Sequence, residues 1–405
     1  MNHDSISNIL TLRYDPTKKS PMRPLGYRDF LPKKTDNLEP KITGIIRNYL
    51  VAKQHELKFK HVAISLSAGV DSGLTLAMLK SILPDVRVTC TSMGFGEEDD
   101  EIDRARQLAN TYDCDFDCII REDIISELPH LISIVKEPRW NLYNYYVLKE
   151  ARKKTKTFFS GDGGDELFGG YTFRYKKFLN NLPKNPSWRK KAALYLSCHE
   201  RDWVPDQKKI FGSKVKFSWE KIYAILRPHF DNSLSPVDQV FLGDFNGKLL
   251  YDWLPTNLAF EKFFDLHIQS LFLTPHMIKF ATHIPWQLKY DPKTNIGKLP
   301  LRSILHKQKG FEKFHPIKKG FSVNLDSLWN KKAKEIALSY MSDSSELVKN
   351  KIISGKWVES SIKKIKVDAS SDLRARYINK VLLILALEVW HRLFVSKTLK
   401  KDDRL

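Results

Sequence analysis

The chain has 405 residues, 42% hydrophobic and 12% aromatic, enough for two or three globular domains and too apolar for a disordered or fibrous protein. Its longest purely apolar run, Val381 to Leu387, is far short of the ~18 residues that span a bilayer, and Met1 to Asp15 lacks the basic start and apolar core of a signal peptide. Lys and Arg number 67 against 47 Asp and Glu, so nucleic acid is a partner to weigh at a net charge of +20, but the basic residues fall in scattered short clusters such as Arg189 to Lys191, the pattern of a solvated surface.

These features predict a cytoplasmic protein without membrane association, and the chain divides into three parts. Residues 1–40 are polar and broken by Pro16, Pro21, Pro24, Pro32 and Pro40; they read as an extended N-terminal arm leading into a helix at about 40–55. Residues 41–180 then alternate. "HVAISLS" (61–67) is a short β-branched run, "VDSGLTLAMLK" (70–80) has helical spacing, and "VRVTCTS" (86–92) is a second strand. The helical "DEIDRARQLANTY" (100–112), a third strand at 115–121, helices within 122–153 and the strand "TKTFFS" (155–160) complete the series. Strand and helix in alternation predict an α/β fold, a parallel sheet with helices on both faces. From 181 to 405 strands are not expected, and proline-broken helical patterns indicate a mainly helical C-terminal region.

Ligands of such sheets bind beyond the carboxyl ends of the strands. Two glycine-containing stretches fall at that edge: "SAGVDSG" (67–73) after the first strand and "SGDGGDELFGGY" (160–171) after the fourth. In the first, backbone N–H groups at a helix start and the Ser67 and Ser72 hydroxyls suit phosphate oxygens, while Asp71 would repel phosphate unless a cation intervened. The glycine spacing is not that of a Walker A loop. Four cysteines, Cys90, Cys114, Cys118 and Cys198, have no disulfide-framework or zinc spacing, and His61, His130 and His276 have no metal-ligand spacing.

"SAGVDS" resembles the SGGxDS loop of the N-type ATP pyrophosphatases, the PP-loop superfamily, with Ala68 where the pattern has glycine. "SGDGGDELFGGY" resembles a block of the asparagine synthetase family, and further blocks follow in the family's order: "TSMGF" (91–95), "DEIDRARQLA" (100–109), "WLPTNLAF" (253–260), "GKLPLRSIL" (297–305) and "KKGFSVNLDSLW" (318–329). The resemblance implies an enzyme, a ligase that uses ATP and Mg²⁺ to adenylate a carboxylate and then passes ammonia or an amine to it, releasing AMP and pyrophosphate. It implies that Leu66, Ser67, Gly69, Asp71, Ser72, Met93, Ser160 and Gly161 bind ATP. Asp71 and Asp165 match the family's magnesium carboxylates, and Asp162 and Lys318 match its catalytic acid and lysine. Glu166 reads as a brace for the following helix, and Phe168 and Tyr171 as packing.

Several positions depart from the pattern. Residue 2 is Asn2 where glutamine-dependent members carry a nucleophilic cysteine, so the N-terminal glutaminase domain is not expected, and nitrogen would come from free ammonia, an amine or a separate glutaminase subunit. On the acceptor side the segment after Glu137-Pro138 is short, Gln269 stands where the family has arginine and Thr274 where it has aspartate. Aspartate, giving asparagine, is the first acceptor implied; another carboxylate is the alternative, with Arg139 and Arg174 as possible anion-binding residues. A tRNA-modifying enzyme and a non-catalytic partner subunit rank behind, the first because no RNA-binding module is present.

Overall fold

The computed structural model describes residues 1–94, 100–121, 123–199, 202–312, 325–341, 344–366 and 371–405. Its centre is a parallel sheet of five strands: β1 His61–Ser65, β2 Arg87–Gly94, β3 Asp115–Ile120, β4 Thr157–Ser160 and β5 His267–Ser270, in the order β3-β2-β1-β4-β5. Side chains of successive strand residues enter opposite layers, as a pleated strand requires. Val62 and Ile64 of β1 and Phe159 of β4 belong to one buried cluster, while Ala63 and Phe158 belong to another. The sheet therefore separates two cores, and helices cover both.

On the first face lie α2, Leu38–Leu57, and α3, Val70–Ile82, whose Leu74, Leu76, Ala77 and Leu79 are fully buried. The second core takes in two helices that precede β4, Leu128–Val135 and Asn144–Arg152, and much of the long helix Ser371–Phe394. The C-terminal region is mainly helical, and both clusters contain residues from before and after position 180. No helix among the described residues is long and apolar enough to cross a membrane.

Two expectations need correction. The segment 1–40 does not start as an extended arm, because α1, His3–Leu12, is a helix whose N-cap Asn2 accepts a bond from the Ser5 backbone N–H at 2.7 Å. Ile6, Ile9 and Leu10 share one face and bury it in the second core, and the prolines act only from Pro16 onward. Further along, the segment is tied to the body by paired bonds between the Leu25 backbone and the Asn246 amide, at 2.9 and 2.7 Å. Strands also do not end at 180. β5 pairs in parallel with β4, Thr157 opposite His267 and Ser160 opposite Ser270, and a small antiparallel pair, β6 Tyr290–Asp291 and β7 Ile296–Gly297, follows. The sequence of β5, "HIQS", has no apolar run because it is a half-exposed edge strand of four residues.

Candidate active site

The turn from β1 into α3 is held by its own polar groups. Leu66 is fixed to β2 on both sides: its N–H donates to the Thr91 carbonyl at 3.0 Å, and its carbonyl accepts from the Ser92 hydroxyl at 2.5 Å. The Ser72 hydroxyl accepts from the Ser67 N–H at 3.1 Å, and Ser67 Oγ accepts from the Gly69 N–H at 3.1 Å. This folds the loop tightly and leaves Asp71 in the first turn of α3, where the helix dipole favours an acid.

The second loop packs onto that acid. A β-carbon at Gly161 would sit 2.9 Å from Asp71 Cβ, and one at Gly164 would collide with the Asp71 carboxyl. At Gly170 it would collide with the Asp165 carboxyl. The glycines of "SGDGGDELFGGY" thus make room for acids. Gly163 and Gly169, at φ 89° and 76°, cap the short helix Gly164–Phe168 in the left-handed region, which admits glycine without strain.

Asp71 and Asp165 converge on one cation, the Lys298 ammonium, which bonds Asp71 Oδ2 and lies 2.6 Å from Asp165 Oδ1. The Lys298 side chain is only 6% exposed. Burial alone would lower its pKa, but the carboxylates of Asp165 and Asp71 outweigh burial and hold the ammonium above its ordinary value. Lys298 is itself held in the left-handed region at φ 57°, which costs a non-glycine residue about 1–2 kcal/mol, and its N–H donates to the Phe168 carbonyl at 3.0 Å. Strain of this kind clusters at functional sites. Sequence reasoning missed Lys298; its signal was a Gly-Lys pair at a helix start, where Ser, Thr, Asn or Asp is the usual cap.

Two carboxylates drawn to one positive charge suit a magnesium ion, which takes oxygen ligands and is commonly held by one or two carboxylates with substrate phosphates. Among the described residues no cluster of three or more His, Cys, Asp or Glu could hold a metal.

Asp162 sits beside the pair at the ends of β4 and β5. Its Oδ2 accepts from the Ser160 hydroxyl at 2.8 Å and from the Asn257 amide at 2.7 Å, while the Ser270 hydroxyl donates to its carbonyl at 2.7 Å. Burial raises the Asp162 pKa, the Ser160 and Asn257 bonds oppose that, and the nearby charge of Asp165 adds to it. Asn257 and Ser270 could not have been selected from sequence, since they come from segments 95 and 108 residues further on. Glu166 is buried and accepts from the Tyr171 hydroxyl at 2.6 Å; burial, then Asp165, pushes its pKa up to about 8. Met93 is buried at the end of β2, at the same sheet edge. Lys318 lies outside the described residues.

A cavity of ≈ 300 Å³ opens beside Asp162, between α2, the helix Leu254–Phe264 and β5. Gln269 lines it, accepting from the Tyr49 hydroxyl at 2.6 Å. Arg139 and Arg174 do not. Arg139 is paired with Asp252 and donates to the Tyr251 carbonyl, and Arg174 is paired with Asp244, all in the interior. Their charges are spent within the protein, which argues against the anion-binding role raised for them.

A family model described as asparagine synthase matches residues 51–392. A glutamine-hydrolysing asparagine synthetase of Bacillus subtilis is 28% identical over 227 residues, 51% of this chain and 35% of the relative. A putative glutamine-hydrolysing asparagine synthetase of Mycobacterium tuberculosis is 32% identical over 135 residues, 30% of this chain and 19% of the relative. The chain therefore matches about a third or less of the length of these relatives. Among solved structures, a NAD⁺ synthetase from Burkholderia pseudomallei aligns at TM-score 0.26 and 12% identity, over 65% of this chain and 93% of the other. A U34-tRNA thiolase from Methanococcus maripaludis aligns at TM-score 0.26 and 14% identity, over 59% and 83%. With the family model matched across most of its length and the ordered blocks in place, the chain belongs to the asparagine synthase family.

Proposed function

We propose that the protein is an ATP-dependent amide-forming ligase: it adenylates a carboxylate and transfers ammonia or an amine to the acyl group, releasing AMP and pyrophosphate. The observation that carries this reading is the convergence of Asp71 and Asp165 on a buried ammonium at the carboxyl edge of the sheet, with Asp162 in the same loop as Asp165. Ser67, Gly69 and Ser72 would hold phosphate oxygens at the start of α3, and Leu66, Met93, Ser160 and Gly161 would border the rest of the nucleotide. Asp71 and Asp165 would hold Mg²⁺, which when bound neutralises phosphate charge and favours departure of pyrophosphate. Lys298, already between the two acids, would meet the same anionic charge from the protein side. Asp162, fixed by Ser160, Asn257 and Ser270, would take a proton from the attacking nitrogen. Lys318 is proposed as a second cation at the reacting centre.

Aspartate is the first acceptor to test. Another carboxylate is favoured by Gln269 at the cavity wall and by the internal pairing of Arg139 and Arg174. The nitrogen source is proposed to be free ammonia, an amine or a separate glutaminase subunit. The test is ATP–pyrophosphate exchange across a panel of amino-acid and other carboxylates. At least one should support exchange, and Asp165→Asn should abolish it; a wild-type protein that neither binds Mg-ATP nor exchanges pyrophosphate with any of them refutes the proposal.

A further inference from the structure

The cavity beside Asp162 has a definite chemistry. Two of the described residues that line it are acids, Asp162 and Glu261. The one cationic side chain among them, Lys53, is engaged with Glu56 at 2.7 Å. Gln269 has both ends of its amide in use, accepting from Tyr49 and donating to the Ile268 carbonyl at 3.1 Å. Among the described residues of the wall an incoming carboxylate would meet two acids and no guanidinium, since Arg139 and Arg174 are paired elsewhere. A cation would meet complementary charge. The remaining wall is largely apolar, built by Leu254, Leu258, Ile268, Leu273 and Pro275.

Size matters as well. At ≈ 300 Å³ the cavity is about ten times the ~30 Å³ that one water occupies in the liquid, and ammonia is no larger than water. Asp162 on its wall is adjacent in sequence to Gly161, which abuts Asp71.

We infer that this cavity receives the nitrogen substrate as a primary amine bearing a short hydrocarbon chain, the ammonium directed at Asp162 and Glu261 and the chain against the leucines. This rests on the ligase reading above and specifies its nucleophile. The ammonium gives one proton to the Asp162 carboxylate, and the nitrogen lone pair forms the C–N bond to the acyl carbon of the adenylate. The acyl C–O bond to phosphorus-bound oxygen breaks, AMP leaves with that electron pair, and the second nitrogen proton passes to water. Partial burial, which raises the Asp162 pKa, makes it a better acceptor than an exposed carboxylate.

Calorimetric titration of the full chain with ethyl-, propyl- and butylammonium, ammonium and butanoate, at matched ionic strength, tests the inference, with Mg-ATP binding measured on the same preparations. Affinity should rise about fourfold per buried methylene, with butylammonium at least tenfold tighter than ammonium or butanoate. Glu261→Gln, which keeps the acceptor for the Ile268 N–H, should weaken butylammonium about tenfold. Leu258→Trp, at a position 39% exposed and able to take a larger side chain, should fill the mouth and abolish amine binding. Both variants should bind Mg-ATP as the wild type does. Butanoate binding as tightly as butylammonium, or amine binding indifferent to both substitutions, overturns the assignment while Mg-ATP binding persists. Failure of the wild type to bind Mg-ATP strikes instead at the ligase reading.

Discussion

Replacing Lys298 with methionine keeps the apolar stem out to Cε and removes the ammonium that sits between Asp71 and Asp165. Both carboxylates bond one nitrogen, so their nearest oxygens lie no more than about 5–6 Å apart. Their side chains are 16% and 26% exposed, so an effective dielectric nearer 40 than 20 applies, and the uncovered repulsion is about 1.5 kcal/mol. Loss of two charge-assisted bonds, discounted for that solvent access, adds a comparable amount. Lys298→Met should therefore lower stability by about 3 kcal/mol in the presence of a chelator. Urea unfolding with EDTA and with millimolar Mg²⁺ is the assay. The variant should recover much of the loss when Mg²⁺ takes the place of the ammonium, and the wild type should respond little. A variant as stable as the wild type, or one whose loss Mg²⁺ leaves untouched, would refute the view that these acids form a cation site.

Glu166 provides a pH signature. Its folded pKa, about 8, lies above the ordinary carboxyl value, so the stability it contributes is complete below about pH 4 and disappears as pH rises through 8. The effect is at most about 5 kcal/mol, and urea midpoints across this range should fall less steeply in Glu166→Gln than in the wild type; equal slopes would remove Glu166 as the cause. Gly164→Ala should displace the Asp71 carboxyl and reduce Mg-ATP affinity at least ~10-fold in equilibrium binding, given that a correctly placed charge contact is worth more than 1.4 kcal/mol. Gly44→Ala is the control: nothing lies within 4 Å of its added carbon, so it should leave ATP binding alone and stabilise α2 by about 0.5–1 kcal/mol. Arg174→Met leaves Asp244 buried without its cation and should cost about 3–5 kcal/mol, most of it regained in the Arg174→Met/Asp244→Leu pair; a single substitution without effect on the urea midpoint would contradict the buried pairing.

What could be read from the sequence had local causes. The four strands from 61 to 160 are short β-branched or aromatic runs, and the two loops that follow β1 and β4 carry their residues contiguously, so their presence at one edge follows from parallel topology alone. What could not be read depends on distant partners. β5 is a strand because β4 offers it an edge, not because "HIQS" prefers one. Lys298 is one lysine in a basic chain until the fold puts it between two acids. Arg139 and Arg174 looked available as anion ligands because Asp252 and Asp244, which occupy them, lie 70 or more residues away. The role of the glycines was legible only in part, since composition announced a close approach but not that the approaching groups were carboxylates.

The separation of Lys298 from Asp71 by 227 residues also orders events during synthesis. At about 5–20 residues per second, the ribosome completes the first loop roughly 10–45 s before it supplies the lysine that neutralises it. Once Asp165 has also been made, the two acids stand without their cation until Lys298 follows, and the β4 edge stays unpaired until β5 arrives. Arrival of the segment from β5 to Lys298 delivers both the missing edge and the missing charge, making assembly of the paired-acid site a late step of folding that a chain truncated before this segment cannot take.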